Sequence, residues 1–361
     1  DNVSVKEYLG QEVVPDSGCG SWLFEPQSTN LVTYSEDFSQ WDVKTNILIT
    51  NNIATSPSGN INASKIIPTS TIGTHQFREN LTSVTGNYTY SIFAKKGEYK
   101  NILLWDDTLS GGVGVNLDDL SIFRDQNNQG YKIVDYGNDW IRISLTHTFS
   151  SQIMRPAIYI YDNSATPQIS FAGNDVDGLF TWGAQVEALS YATSYIPTSG
   201  SSVTRNQDLC TNGGSLATIN STEGVLYAEI AALANDGTNR EISLSDGTTS
   251  NRIEIRYSPI SNRIQAIIRV NSVIQSNLSF ITSDVTDFSR IALKYSLNNF
   301  SLWIDGVEVA TDTSGSVFPI NTLNNLSFNQ GDGANNFFGK TKCLAVFPYL
   351  TDQELTELTT I

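Results

Sequence analysis

The side chains best suited to chemistry in this chain are aromatic rings, amides and guanidinium groups set two residues apart. Tyr159 and Tyr161 alternate with Ile158 and Ile160. In a strand both rings would share one face and both isoleucines the other. The isoleucines suit the core side, which leaves the tyrosines for a concave or exposed face. Asn101, Leu103 and Trp105 share a face by the same spacing, and Gln76 and Arg78 could rim such a surface. Aromatic rings of this kind give rigid contact area at little entropic cost and keep a polar handle. Ringed by amides and guanidinium groups, they would stack on the apolar C–H face of a sugar and hydrogen-bond its hydroxyls. A plainer reading stands beside it: Trp105 in the core and the tyrosines as half-buried sheet positions.

Bond-making chemistry finds less support. A retaining glycosidase needs two carboxyl groups about 5–5.5 Å apart. Glu241 and Asp246 are five apart, which puts them on opposite faces of a strand. Asp305 and Glu308 straddle a turn, and Asp106-Asp107 and Asp118-Asp119 are adjacent pairs. His75 and His147 are the only histidines. Neither stands in a motif, so hydrogen-bonded or solvent-facing structural roles are expected rather than a triad or a zinc site. Gly111-Gly112-Val113-Gly114 lacks the Lys and helix of a phosphate loop. The three cysteines, Cys19, Cys210 and Cys343, show no metal spacing, and their odd number argues against a disulfide framework. No enzyme is expected. A second polar set is Arg252, Glu254 and Arg256, opposite Ile253, Ile255 and Tyr257, with Arg263, Gln265 and Arg269 nearby on a shared face. It reads as a ligand face or, more plainly, as the solvated side of an antiparallel sheet.

These residues need strands to position them, and the chain is written for strands. Gly, Ser, Thr and Asn are abundant, charged residues make up only 16%, and turn signals separate short β-branched and aromatic runs. Its 361 residues exceed one ordinary core, given roughly 100–200 residues per domain. The predicted fold is all-β: two tandem antiparallel β-sandwich (jelly-roll) domains over 30–200 and 201–361. They follow a short N-terminal arm, 1–29, turn-rich over 11–20. Residues 198–202 (TSGSS) have linker composition. Asp305-Gly306 between alternating runs predicts a tight hairpin. Thr351 with Glu354 forms a capping box ahead of Leu355 and Leu358, predicting a short C-terminal helix. No run approaches the ~20 apolar residues of a membrane span, so no membrane insertion is expected. No signal-peptide pattern is visible, and the chain opens at Asp1 without Met, as a processed product or fragment would. A net charge of −16 disfavours nucleic acid.

Two stretches add a resemblance. NLVTYSEDFSQW (30–41) and WGAQVEALSYATSYIPTSG (182–200), with GNDWIRIS (137–144) between them, resemble the carbohydrate-binding-module-like jelly rolls of phage tail and fibre proteins. Trp41, Trp140 and Trp182 belong to those motifs and are expected in the core. SLWIDGVEVATDTSG (301–315) and FGKTKCLAVFPYLTDQELTELT (338–359) resemble a laminin-G or concanavalin-A-like sandwich. The resemblance implies a lectin-like, non-catalytic component of a phage virion (fibre, tail or head decoration) that binds a surface polysaccharide for host attachment. Other virion proteins would be partners, and a homotrimer is a common assembly. A purely structural virion protein, or the binding portion of a polysaccharide-degrading enzyme, is the alternative. Glucanases of that superfamily carry E-x-D-x-x-E on one strand, which is absent here. Lectin sandwiches often hold Ca²⁺ on loop oxygens, for which Asn174, Asp175, Asp177, Asp332, Asn335 and Asn336 are available. In a sandwich whose terminal strands pair, Cys210 and Cys343 could meet in a disulfide; otherwise they are free buried thiols.

Overall fold

The computed structural model describes the backbone of residues 13–16 and 19–360, and the side chains of residues 20–360. The expected arm therefore lies partly outside the described residues, as does the Cys19 side chain. The chain forms two compact units, Gln27–Asn206 and Gln207–Ile361, the latter joined by the segment before Gln27.

The first unit packs two antiparallel sheets face to face. One has the order Ile122–Gln126, Gly111–Asn116, Asn101–Asp106, Pro156–Tyr161, Gly73–Arg78, with Val43–Thr45 and Ser170–Phe171 both on the last strand. The other runs Gly130–Asp135, Trp140–Ile153, Ser83–Lys95, Leu179–Glu187, Ile61–Pro68, Ile47–Thr55. Ile102, Leu104, Val113, Ile158, Ile160 and Phe77 from the first sheet meet Ile92, Ile143, Leu145 and Val186 from the second. That core follows from period-two alternation in paired strands.

The stretches that carry the resemblance fasten this unit. Asn30 is fully buried; its Nδ2 donates to the Ala184 and Ile196 carbonyls (3.1 and 2.8 Å), and its Oδ1 accepts from Val32 N and Val186 N (both 3.1 Å). Glu187, also buried, accepts from Ser28 Oγ (2.6 Å), Gln185 Nε2 (2.6 Å), Thr193 N (3.0 Å) and Thr193 Oγ1. Tyr195 bonds Ser35 and Glu36 and stacks near Trp182, with ring centroids 4.4 Å apart. Trp41 lies in the core between the sheets. Trp140 and Trp182 are buried elsewhere, with Phe93 on the outer face of the second sheet. Residues 198–202 are tied in too: Thr198 Oγ1 donates to the Val32 carbonyl (2.7 Å), and Val203–Arg205 pairs with Ser28–Asn30. Small polar residues suit a hydrogen-bonded clasp as well as a linker.

The second unit is also a two-sheet sandwich. Its larger sheet runs Val13–Asp16, Cys19–Phe24, Gly339–Phe347, Gly224–Ala232, Ser289–Ser296, Asn299–Ile304, Val307–Asp312. The smaller runs Val273–Ile281, Arg263–Val270, Arg252–Tyr257, Arg240–Ser245, Asn325–Ser327. The segment 13–24 is thus a hairpin whose second strand pairs with Gly339–Phe347. Asp305 and Gly306 take φ of 49° and 84°, the left-handed pair a two-residue hairpin requires. The helix Asp352–Thr359 starts at the Thr351/Glu354 capping box, and Leu355 buries against Val225, Tyr227 and Trp303 on the larger sheet's outer face. Cys210 and Cys343 are free thiols, raised by burial, so the disulfide does not form.

Asn30 satisfies four backbone groups at once. Asn30→Ala leaves them unpaired in a dry site, and the expected destabilisation is about 3 kcal/mol or more. Urea unfolding checks this; a loss below about 1 kcal/mol would show that the clasp does not hold the unit together.

Candidate functional site

The outer face of the first unit's first sheet is apolar where water would normally select polar residues. The strand register builds it in two rows: Gln76, Tyr159, Leu103, Gly114 and Arg124 in one, and Arg78, Ala157, Trp105, Gly112 and Gln126 in the next. Tyr161 and Asn101 follow at the end of their strands. Leu103, Trp105, Ala157 and Tyr161 form a buried cluster here, with Phe123, Tyr159 and Ile169 packed against it. Trp105 is 9% exposed, so this cluster is separate from the core between the sheets and yet largely covered. Its cover comes from the same sheet. A bulge between Gly114 and Val115 frees Phe123 to lie across Gly114, where any Cβ would fall 2.5 Å from the ring. The Phe123 ring sits 5.0 Å from that of Tyr161.

Polar groups surround these rings. Asp107 Oδ1 accepts from the Tyr159 hydroxyl at 2.5 Å, and its Oδ2 pairs with Arg78 Nη1 at 2.6 Å. Burial first, then the Asp107 carboxylate, holds the Tyr159 hydroxyl well above the ordinary tyrosine value, so it stays a neutral donor. The Arg124 guanidinium lies over Trp105, 4.4 Å from the ring centroid; it donates to Tyr161 Oη at 3.1 Å and to Gln126 Oε1 at 3.0 Å. Asn101 donates through Nδ2 to the Asp162 carbonyl at 2.7 Å, but its Oδ1 is buried without a partner, as are Gln76 Oε1 and Arg78 Nε.

All five candidate residues, Trp105, Tyr159, Tyr161, Gln76 and Arg78, therefore fall on one face. Arg124 joins them without having been singled out in the sequence, and so does Asp107, which was weighed there only as half of an adjacent acidic pair. Asp107 sits just past Asn101–Asp106, while Asp106 turns inward to accept from Thr108 N, Leu109 N and Arg155 N. Alternation over Ile122–Gln126 is the only sequence signal for Arg124, and the bulge breaks it. His75 is structural, its ring nitrogens 2.6 and 2.9 Å from the Asn46 and Phe171 carbonyls. A recess of about 250 Å³ lined by Gln27, Ser28, Thr29, Leu31, Tyr88, Ala188 and Leu189 lies away from this face and has no charged lining residue. Its shape is the more concave, but the chemistry is on the face.

In the second unit the expected solvated side of the sheet is not solvated. Glu241 and Glu254 are fully buried and Arg252 nearly so. Arg256 Nη1 lies 3.3 Å from Glu241 Oε1 and 3.5 Å from Glu254 Oε1, and Arg252 Nε pairs with Glu254 Oε2. The segment 329–336 closes over them: Glu241 N donates to the Asn335 carbonyl (3.1 Å), Asn335 Nδ2 donates to Glu241 Oε1 (3.1 Å), and a Cβ on Gly331 would meet Ser245 Oγ at 2.9 Å. Of the loop oxygens considered for Ca²⁺, several accept hydrogen bonds and Asn336 Oδ1 is buried without a partner. Asn174 Oδ1 accepts from Val176 N and Asp177 N, Asp175 Oδ1 from Ser70 N, and Asp332 Oδ1 from Ala334 N. Among the described residues no three His, Cys, Asp or Glu side chains gather to hold a metal.

No family model and no curated protein matches the chain. Among solved structures it is similar to the Ruminococcus gnavus IT-sialidase CBM40 bound to α2,3-sialyllactose (18% identity, 38% of this chain, 83% of that one, TM-score 0.33). It is also similar to sheep galectin-11 in complex with glycerol (7%, 40% and 98%, TM-score 0.28) and to domains LG4-5 of the mouse laminin α1 chain (8%, 93% and 93%, TM-score 0.29). At such scores the chemistry of the face has to be read from this chain's own residues.

The buried pair sets a pH dependence. Burial, then the charge of Glu254, pushes the Glu241 carboxyl up to about 7, against about 4.3 for glutamate in an unfolded chain. The folded state thus holds this proton more tightly. Its stabilisation is fully present below pH ~4.3 and is lost as pH rises through about 7. Wild-type Tm is expected to fall several degrees between pH 5.5 and 8, and Glu241→Gln to flatten that fall. Parallel melting curves for the two proteins across this range would refute it.

Proposed function

We propose that this chain is a non-catalytic glycan-binding protein whose ligand sits on the Trp105–Tyr159–Tyr161 face. The observation that carries this is an aromatic cluster on the outer side of a sheet, covered by side chains of its own sheet and by Ile169, ringed by Arg78, Asp107, Arg124, Asn101 and Gln76. The half-buried Tyr159 and Phe123 rings, hemmed by polar groups, offer what a sugar ring needs: C–H contact on one side and hydrogen bonds at the edge. The non-catalytic part of the reading is supported by the surroundings of Glu241 and Glu254, two carboxylates that share a guanidinium and are buried. The resemblance of residues 30–41 and 182–200 supports a place in a phage virion, at a fibre, tail or head decoration, where the ligand would be host polysaccharide.

A structural virion role is favoured by a different observation. The edge strand Val273–Ile281 exposes Val273 (59%) and Ile281 (57%) together with Ile274 and Phe280. An unpaired edge with apolar side chains suits pairing with another protein or a second copy, as in a homotrimer.

A glycan array probed with the purified chain, with and without Ca²⁺, tests the binding reading. Saturable binding is expected, weakened at least roughly tenfold by Tyr159→Ala and by Arg78→Ala in variants that keep the wild-type circular dichroism. Silence on a broad array, or binding untouched by both substitutions, would move the function off this face.

A further inference from the structure

We infer that the ligand of this face carries a carboxylate, as a uronic or sialic acid does, and that Arg124 receives it. The inference rests on the glycan reading above and adds the ligand's charge. Arg124 is an arginine on this face with no carboxylate within 4 Å among the described residues, whereas its neighbour Arg78 is neutralised by Asp107. The chain has 37 acidic and 21 basic residues, so a guanidinium without a counter-ion is not for want of acids. Elsewhere among the described residues Arg142, Arg155, Arg263 and Arg269 also show no ion pair, but Arg142 is buried and committed to the Thr193 carbonyl and Ser91 Oγ, and the other three donate to Thr108 Oγ1, Ser258 Oγ and the Ser272 carbonyl rather than lying over an aromatic ring.

The geometry leaves Arg124 able to act. Its place over Trp105 and its bonds to Tyr161 and Gln126 hold the guanidinium on this face, and a held guanidinium can meet a carboxylate as a fork in two parallel bonds. Tyr161 and Gln126 take one bond each from a group that has five N–H donors. The same stacking decides against a neutral sugar. With Trp105 only 9% exposed beneath Arg124, a neutral ring would have to displace the guanidinium to reach the indole. An acidic sugar uses the guanidinium where it lies.

The rest of the ligand meets the opposite kind of group. Asn101, 1% exposed, and Gln76 each hold an unpartnered acceptor oxygen, and they sit beside Tyr161 and Tyr159 respectively in the strand register. Hydroxyl or amide N–H donors of a sugar would satisfy both. The net charge of −16 opposes an anionic ligand at long range. Screening over about 8 Å at physiological salt confines that repulsion, while a hydrogen-bonded carboxylate acts well inside that distance.

Titration calorimetry with matched pairs tests this: the methyl glycosides of glucuronic acid and N-acetylneuraminic acid against their methyl esters, and sialyllactose against lactose. At least one acid is expected to bind roughly tenfold or more tightly than its neutral partner. Arg124→Gln should abolish that preference, acid and ester then binding alike, and Arg124→Lys should restore it only in part, since an ammonium lacks the fork. Equal binding of acid and ester by the wild type overturns the carboxylate assignment and leaves the glycan reading standing. If Arg124→Gln does not fold, the wild-type comparison of acid with ester decides alone. Absence of binding by every acidic and neutral glycan, on the array as in the calorimeter, overturns both.

Discussion

The register of Pro156–Tyr161 against Asn101–Asp106 is the constraint on which both faces of the first sheet depend. With Ala157 opposite Trp105 and Tyr159 opposite Leu103, four side chains, Ile102, Leu104, Ile158 and Ile160, enter the core. The same pairing sends Leu103, Trp105, Tyr159 and Tyr161 outward together. A slip of Pro156–Tyr161 by one residue would turn Tyr159 and Tyr161 into a space filled by aliphatic groups and send Ile158 and Ile160 outward. The core thereby specifies the outer face: the volume that the isoleucines fill is what holds the aromatic residues in one patch.

The clasp that closes the opposite sheet does a similar service at long range. Asn30 and Glu187 join the two ends of the first unit through buried hydrogen bonds to backbone groups and to Ser28, Gln185 and Thr193. A buried asparagine or glutamate is tolerable only when all its capacity is used, and here it nearly is. The residues that made the two end segments recognisable as a family pattern are therefore those that fasten the unit. They carry information about architecture, and the face proposed for the ligand is on the other sheet.

Alternation made much of this legible. The isoleucine and tyrosine faces of 157–161, the Asp305-Gly306 hairpin and the Thr351/Glu354 cap each follow from local spacing, and local spacing is what a chain encodes most directly. Arg124 was not legible because a bulge at Gly114 shifts its strand, so parity alone misplaces it. Asp107 was passed over because it follows the strand end, where alternation ceases to apply. The burial of the Arg252, Glu254 and Arg256 face was not legible for a different reason: the alternating pattern of Arg252–Tyr257 is that of a half-solvated strand, and the segment that closes over it comes from residues 329–336. Burial by a distant loop leaves no mark on the strand it covers.

Arginine is held in two ways in this chain, and the contrast bears on the proposed function. Arg252 and Arg256 are locked to buried carboxylates. Desolvation there consumes most of the Coulombic gain, so the network fixes geometry more than it stabilises, and breaking one partner would leave an uncompensated charge. Arg124 is half-buried and faces an indole instead. A cation over an aromatic ring gains about 0.5–2 kcal/mol without surrendering its charge to a counter-ion. The first arrangement spends the charge internally, and the second keeps it in place, oriented and still able to attract an anion. That retained charge is what the proposed carboxylate would meet.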